Sequence, residues 1–142
     1  MKRLLMGLSA AFILVLTASC GSTKSTDESV NLLTDINWQL KTIEGKDAVA
    51  SNYNSGLPEA TFTVDNKISG NSGCNRYSGS YNLNEEGGIN MSEFISTKMF
   101  CPGNGEAEYL KALNTVNVAK VEKDKLVLYD GVKEILVFTP KK

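Results

Sequence analysis

Apolar positions through the middle of the chain recur with a period of two. Trp38, Leu40 and Thr42 alternate with Gln39, Lys41 and Ile43, the pattern of a strand with one face turned to a core. Residues 60–64 and 67–70 flank Asp65-Asn66, a turn dipeptide, and predict a β-hairpin. Over 76–83, Tyr77, Tyr81 and Leu83 alternate with small or polar residues until Asn84-Glu85-Glu86-Gly87-Gly88. Residues 89–91 and 95–99 predict two more strands, and the glycines of this region mark points where the backbone bends or packs closely. The period changes after Cys101-Pro102-Gly103. Over 106–116, Ala107, Leu110, Leu113 and Val116 fall on one helical face with Tyr109 beside it. Asn104 is placed to cap this helix, and Glu106 and Glu108 lie in its first turn, where the helix dipole favours negative charge. Strand patterns return over 118–121, 126–129 and 135–138, with Asp130-Gly131 as a turn. One helix between two groups of antiparallel strands predicts an α+β fold.

The N-terminal pattern differs. Lys2 and Arg3 precede an apolar run over 4–16, which is followed by the small residues Thr17, Ala18 and Ser19 before Cys20, the plan of an export signal. The run is shorter than the ~20 apolar residues a spanning helix needs, so residues 1–19 read as a processed signal. Thr17-Ala18-Ser19-Cys20 with Leu16 upstream resembles a lipobox, although Thr17 stands where a large aliphatic residue is more usual. An ordinary secretory signal with a chance cysteine is the alternative. Lipidation of Cys20 predicts a location in the bacterial cell envelope, at the outer membrane or another membrane facing the periplasm. Membrane contact would come through acyl chains such as palmitate, each buried methylene contributing ~0.8 kcal/mol. Residues 21–31 are small and polar and predict a flexible tether, taken over 20–36. The globular domain is expected over 37–140, a length sufficient for one core.

Charge and residue usage narrow the function classes. The formal net charge is −1; cleavage before Cys20 removes two of the 15 basic residues and none of the 16 acidic ones, leaving −3. A nucleic-acid partner, which calls for a basic face, is not expected. The chain has no histidine, which removes Ser-His-Asp and Cys-His constellations and the commonest metal ligand. Ser72 is outside a Gly-x-Ser-x-Gly elbow, and Gly70, Gly73 and Gly79 are not followed by a phosphate-binding Gly-Lys-Ser/Thr. Lys98 is the only basic residue close in sequence to Cys101. Glu85-Glu86 belongs to a turn and Glu106 with Glu108 to a helix start, and neither pair forms a calcium loop. No catalytic residue, metal or cofactor is expected, and the chain reads as a non-enzyme.

With Cys20 assigned to lipid, Cys74 and Cys101 remain as an even pair in an oxidising compartment, which predicts a disulfide; two buried thiols on neighbouring strands are the alternative. The segments around them, Gly73-Cys74-Asn75-Arg76-Tyr77-Ser78-Gly79-Ser80-Tyr81 and Ser96-Thr97-Lys98-Met99-Phe100-Cys101, resemble the core signature of the META domain (HslJ-like) family. Trp38-Gln39-Leu40, Glu108-Tyr109-Leu110 with Leu113, Leu126-Val127-Leu128 and Leu136-Val137-Phe138 extend the resemblance. It implies a highly curved, partly closed sheet wrapped around the helix. It also implies an exported bacterial lipoprotein or periplasmic protein linked to stress tolerance, in a family with no established biochemical activity. Asn75, Arg76, Tyr77 and Tyr81 are the candidate recognition residues, although Asn75 also reads as bonding nearby backbone and Arg76 as an exposed-face residue. The expected role is non-catalytic binding or stress protection, with the protein or small-molecule partner unnamed. The alternative is a small-molecule binder with an apolar pocket inside the sheet, lined by some of Trp38, Phe62, Tyr77, Tyr81 and Phe138. Those aromatics also read as plain core.

Overall fold

The computed structural model describes residues 26–142. The signal, Cys20 and residues 21–25 of the expected tether lie outside the described residues. Chain order is α1 (Thr26–Leu33), β1 (Asn37–Ile43), β2 (Lys46–Asp47), a 3-10 turn (Ala50–Asn52), β3 (Glu59–Phe62), β4 (Lys67–Asn71), β5 (Arg76–Leu83), β6 (Ile89–Met91), β7 (Ile95–Ser96), α2 (Gly105–Thr115), β8 (Val118–Glu122), β9 (Lys125–Asp130) and β10 (Lys133–Pro140). Ten strands form one antiparallel sheet in the order β6-β5-β4-β3-β1-β10-β9-β8, with β2 added to β1 and β7 to β5. The sheet curls until its two ends meet. Ile89 N–H donates to Asn117 O at 2.9 Å and Ala119 N–H to Gly87 O at 2.8 Å, joining the start of β6 to β8. A nearly closed barrel leaves few strand edges to water. The protein is an α+β single domain, as the strand and helix patterns predict.

Alternation sets what goes inside. Trp38 and Leu40, Ala60 and Phe62, Ile68, Tyr77 and Tyr81 point inward and are at most 5 % exposed, while their strand neighbours point out. Helix α2 inserts Tyr109 and Leu113, both fully buried, against the same core. Its buried face is Tyr109, Ala112, Leu113 and Val116; Ala107 is exposed and Leu110 half-buried. The predicted face is therefore rotated, because Tyr109 is drawn inward by hydrogen bonding to Tyr77. Asn104 occupies the N-cap position, yet its side chain makes no capping bond.

The hairpin around Asp65-Asn66 forms as expected. Thr63 N–H donates to Lys67 O, Asn66 N–H donates to Thr63 O, and Asn66 takes the left-handed conformation (φ 62°) that Asn tolerates better than most residues. Two other expectations need correction. Residues 26–33 are helical, not tether. Leu33 is fully buried and its carbonyl accepts from Trp38 Nε1 at 2.9 Å, while Thr34 Oγ1 and N–H both return to Val30 O. Docking of this kind stabilises a helix too short to persist alone. The strand expected over 95–99 stops at Ser96, because the Asn75 side chain takes the place of a ladder partner beyond it.

Candidate functional site

Two polar regions flank the start of β5. The first is the turn between β4 and β5, which is closed on itself before it meets anything else. Ser72 N–H donates to Asn75 O at 2.8 Å, and Gly73 N–H donates to Asn71 Oδ1 at 2.7 Å. Gly73 has φ +97°, and a Cβ there would strike the Tyr53 ring, so both backbone conformation and packing require glycine. Cys74 is joined to Cys101 by a disulfide, their Cα atoms 6.2 Å apart. The bond ties the turn to the segment that leads into α2.

Asn75 and Glu106 fill the space beside that bond. The Asn75 amide brackets the Met99 backbone: Oδ1 accepts from Met99 N–H at 2.7 Å and Nδ2 donates to Met99 O at 3.1 Å. Thr97 Oγ1 also donates to Oδ1 at 2.7 Å, and Nδ2 donates to Glu106 Oε2 at 2.9 Å. Glu106, in the first turn of α2, accepts from Asn75 N–H at 2.9 Å and from the Ser72 hydroxyl. Burial opposes ionisation of Glu106. The hydrogen bonds from Ser72 and from the Asn75 side chain and backbone, with the positive charge of Lys98, outweigh it and hold the carboxyl below its ordinary range. Ser72 and Asn75 are 0 % and 4 % exposed. The cluster is saturated, and its chemistry is that of a buried structural network.

Tyr77 and Tyr81 are core residues. Tyr77 Oη donates to Glu59 O at 3.0 Å and lies 2.8 Å from Tyr109 Oη. Burial pushes both phenols well above their ordinary values, for Tyr77 against the hydrogen bond from Tyr109, so both stay neutral. Tyr81 Oη donates to Thr63 O, and its ring stands edge-on to Phe62 at 5.1 Å. Trp38, Phe62, Tyr77, Tyr81 and Phe138 thus occupy the barrel interior themselves, at 0–5 % exposure. The space of an internal apolar pocket is taken by the rings proposed to line it.

The second region lies on the outer face of the sheet. A groove of about 750 Å3 runs over β1, β3, β4, β5 and β7. Its floor is a row of side chains in register: Asn37 opposite Thr61, Thr61 opposite Ser69, Ser69 opposite Ser78, and Ser78 opposite Ile95. A second row holds Glu59 on β3 and, paired across β4 and β5, Asn71 and Arg76. Gly70 lets β3 and β4 approach here, since a Cβ would collide with Glu59 O. Glu59 is engaged: Lys141 Nζ reaches Oε1 and Asn37 Nδ2 donates to Oε2 at 3.0 Å. Burial opposes its ionisation, but these bonds prevail and lower its carboxyl pKa. Among the described residues the Arg76 guanidinium has no protein partner, and the hydroxyls of Thr61, Ser69, Ser78 and Ser96 make no side-chain hydrogen bond.

The candidate recognition residues therefore separate. Asn75 joins Cys74 and Cys101 in the buried cluster, Tyr77 and Tyr81 serve the core, and only Arg76 faces the groove with its charged group exposed. Sequence reasoning missed Glu106 as an acceptor and the Thr61-Ser69-Ser78 row. The row was detectable in principle, as the polar face of strands whose other face is aromatic. Among the described residues no group of three or more His, Cys, Asp or Glu side chains is arranged to hold a metal ion. No helix among them is long and apolar enough to cross a membrane.

Two solved structures share the fold. An NMR structure of a protein from Burkholderia xenovorans superposes with a TM-score of 0.62 at 23 % identity, covering 96 % of this chain and 99 % of that one. A crystal structure of a duf4847 family protein from Bacteroides vulgatus gives a TM-score of 0.62 at 14 % identity, covering 80 % and 98 %. No curated protein sequence matches. The family model for the META domain matches residues 31–142, most of the chain and both cysteine segments, and the protein belongs to the META domain family.

Proposed function

We propose that this is a lipid-anchored cell-envelope protein, held to the membrane through Cys20, whose META domain acts by binding through the outer-face groove in a stress-protective role. The observation that carries the binding reading is the contrast in hydrogen-bond use. Polar groups beside the disulfide are consumed by one another, whereas the Arg76 guanidinium and four groove hydroxyls have no partner among the described residues. Polar groups fixed on a rigid sheet, with their bonding capacity unused, are what a binding face offers a polar ligand. The anchoring reading is supported by the basic, apolar and small-residue order that leads to Cys20.

Fractionation and intact-mass measurement test the anchor. The mature protein is expected in the membrane fraction with a diacylglyceryl mass on Cys20, and Cys20→Ala is expected to release it; a soluble, unmodified mature chain overturns this half. For the groove, Ser78→Trp fills the floor without touching the core. Deletion of the gene is expected to sensitise cells to envelope stress, with rescue by the wild-type gene and none by Ser78→Trp expressed at the same level. Full rescue by the filled groove rejects it as the working surface.

A further inference from the structure

We propose that the groove takes an acidic glycan: an extended, polyhydroxylated chain with a carboxylate seated on Arg76. The proposal rests on the groove being the binding face. Its shape comes from register. Thr61, Ser69 and Ser78 stand directly opposite one another on β3, β4 and β5, with Asn37 and Ile95 continuing the row on β1 and β7. At the spacing of adjacent strands the row extends roughly 19 Å, with a hydrogen-bonding group about every 4.8 Å along most of it. A compact ligand meets only part of such a row. A linear polyol meets it repeatedly.

The type of group is equally selective. A serine or threonine hydroxyl donates one hydrogen bond and accepts others, so it complements ligand hydroxyls, which do the same. Arg76 is the one cationic residue lining the groove, and its planar fork matches a carboxylate in a bidentate pairing. Glu59, the acid in the groove, has its charge offset by the Lys141 ammonium and accepts a hydrogen bond from Asn37, which weakens its repulsion of an anion. A nucleic acid would need many more cations than one arginine supplies. Main-chain pairing with a peptide needs an open strand edge, and the floor over β3 and β4 is sheet face with both neighbours paired. The Tyr77 ring is buried and its hydroxyl engaged, so binding must come from hydrogen bonds and charge rather than ring stacking.

The test is calorimetric titration of the full mature chain, purified in detergent, with a panel of uronic-acid tetramers: galacturonate, mannuronate and a glucuronate-containing tetrasaccharide. The methyl-esterified galacturonate tetramer and galacturonic acid monomer serve as controls. At least one tetramer is expected to bind saturably, about tenfold or more tighter than its methyl ester or monomer. Arg76→Gln is expected to remove the preference for the acid over the ester, and Ser69→Ala with Ser78→Ala to weaken both alike. The proposal is overturned if no tetramer binds up to millimolar concentration, or if esterification or Arg76→Gln leaves affinity unchanged. Failure here with continued loss of rescue by Ser78→Trp rejects the glycan and leaves the groove; rescue by Ser78→Trp rejects the groove itself.

Discussion

Ser72 and Ser69 are three residues apart around the same hairpin and meet opposite fates. Ser72 is fully buried, its hydroxyl lodged between the Glu106 carboxylate and Asn75 O. Ser69 faces out from β4 beneath the groove and makes no side-chain hydrogen bond among the described residues. The difference separates two uses of polarity on one scaffold. Around Cys74 a network satisfies itself, and removing a member strands its partners in a place water reaches poorly. Along Thr61, Ser69 and Ser78 no hydrogen bond among the described residues uses the hydroxyls, which leaves their bonding capacity open to what meets them from outside.

The largest effect should come from the bond that closes the saturated region. Cys74 and Cys101 are 27 positions apart, and in the chain-entropy model a loop of that length stabilises by about 3 to 4 kcal/mol. Cys101→Ala is therefore expected to lower unfolding free energy by that order in urea titrations. Groove chemistry should survive wherever the variant stays folded. A loss under about 1 kcal/mol would mean that the Asn75 and Glu106 network holds the segment without the covalent tie.

Asn75→Ala comes next, at about 2 to 3 kcal/mol, because it strands the Met99 backbone, the Thr97 hydroxyl and one Glu106 oxygen together. Asn75→Asp discriminates further. An aspartate still accepts from Met99 N–H and Thr97, but it sets negative charge against Glu106 and has no donor for Met99 O. It should be nearly as destabilising as alanine in the same titration. An aspartate variant as stable as wild type would show that only the acceptor half of the amide matters.

This region also marks the limit of what the sequence discloses. The α+β class, the hairpin at Asp65-Asn66, the helix after Cys101 and the cysteine pairing follow from period, turn chemistry and cysteine count, which are local or nearly local signals. Helix α1 was not legible, because residues 26–33 carry few apolar side chains and the helix packs against β8, which lies far along the chain. Asn75 was legible as a backbone-bonding residue, but its reach to Met99 depends on a fold that brings positions 24 apart together. Tyr77 and Tyr81 were ambiguous in principle, since an alternating aromatic fits a buried face or a ligand face equally well until the sheet's curvature is known. The polar outward face was legible strand by strand, but the groove was not, because only register aligns Thr61, Ser69 and Ser78 into one row.

Glu106 gives a smaller, pH-dependent effect. Its folded carboxyl titrates below the ordinary glutamate range of about 4.3, so its stabilising contribution is complete above that range and is lost as pH falls through the folded value. Glu106→Gln should cost about 1 to 2 kcal/mol at neutral pH, since an amide keeps one acceptor oxygen for Ser72 and Asn75 N–H but sets its NH2 against the Asn75 Nδ2 donor. Its acid limb should be shallower than wild type but not flat, because Glu59 and Asp65 also titrate low. Unfolding midpoints measured from neutral pH to below pH 4 check both statements. An unchanged acid limb would place the Glu106 interaction outside the folding free energy.

The smallest expected effect lies in the groove and bears most directly on the comparison. Ser69→Ala, Ser78→Ala and Arg76→Gln each remove a group with no partner among the described residues, so each should change unfolding free energy by less than about 0.5 kcal/mol. Ser69 and Ser78 are direct cross-strand partners, and such pairs contribute when they hydrogen-bond to each other. Here no bond joins the two hydroxyls, so the double variant should equal the sum of the singles. Alanine is a poorer strand former than serine's branched neighbours, but on an outward position that preference is a fraction of a kcal/mol. A triple variant losing about 2 kcal/mol or more in urea titration would show that the groove's polar groups hold the sheet together. The distinction between a network spent on the fold and a face kept for a ligand would then fail at its weaker end.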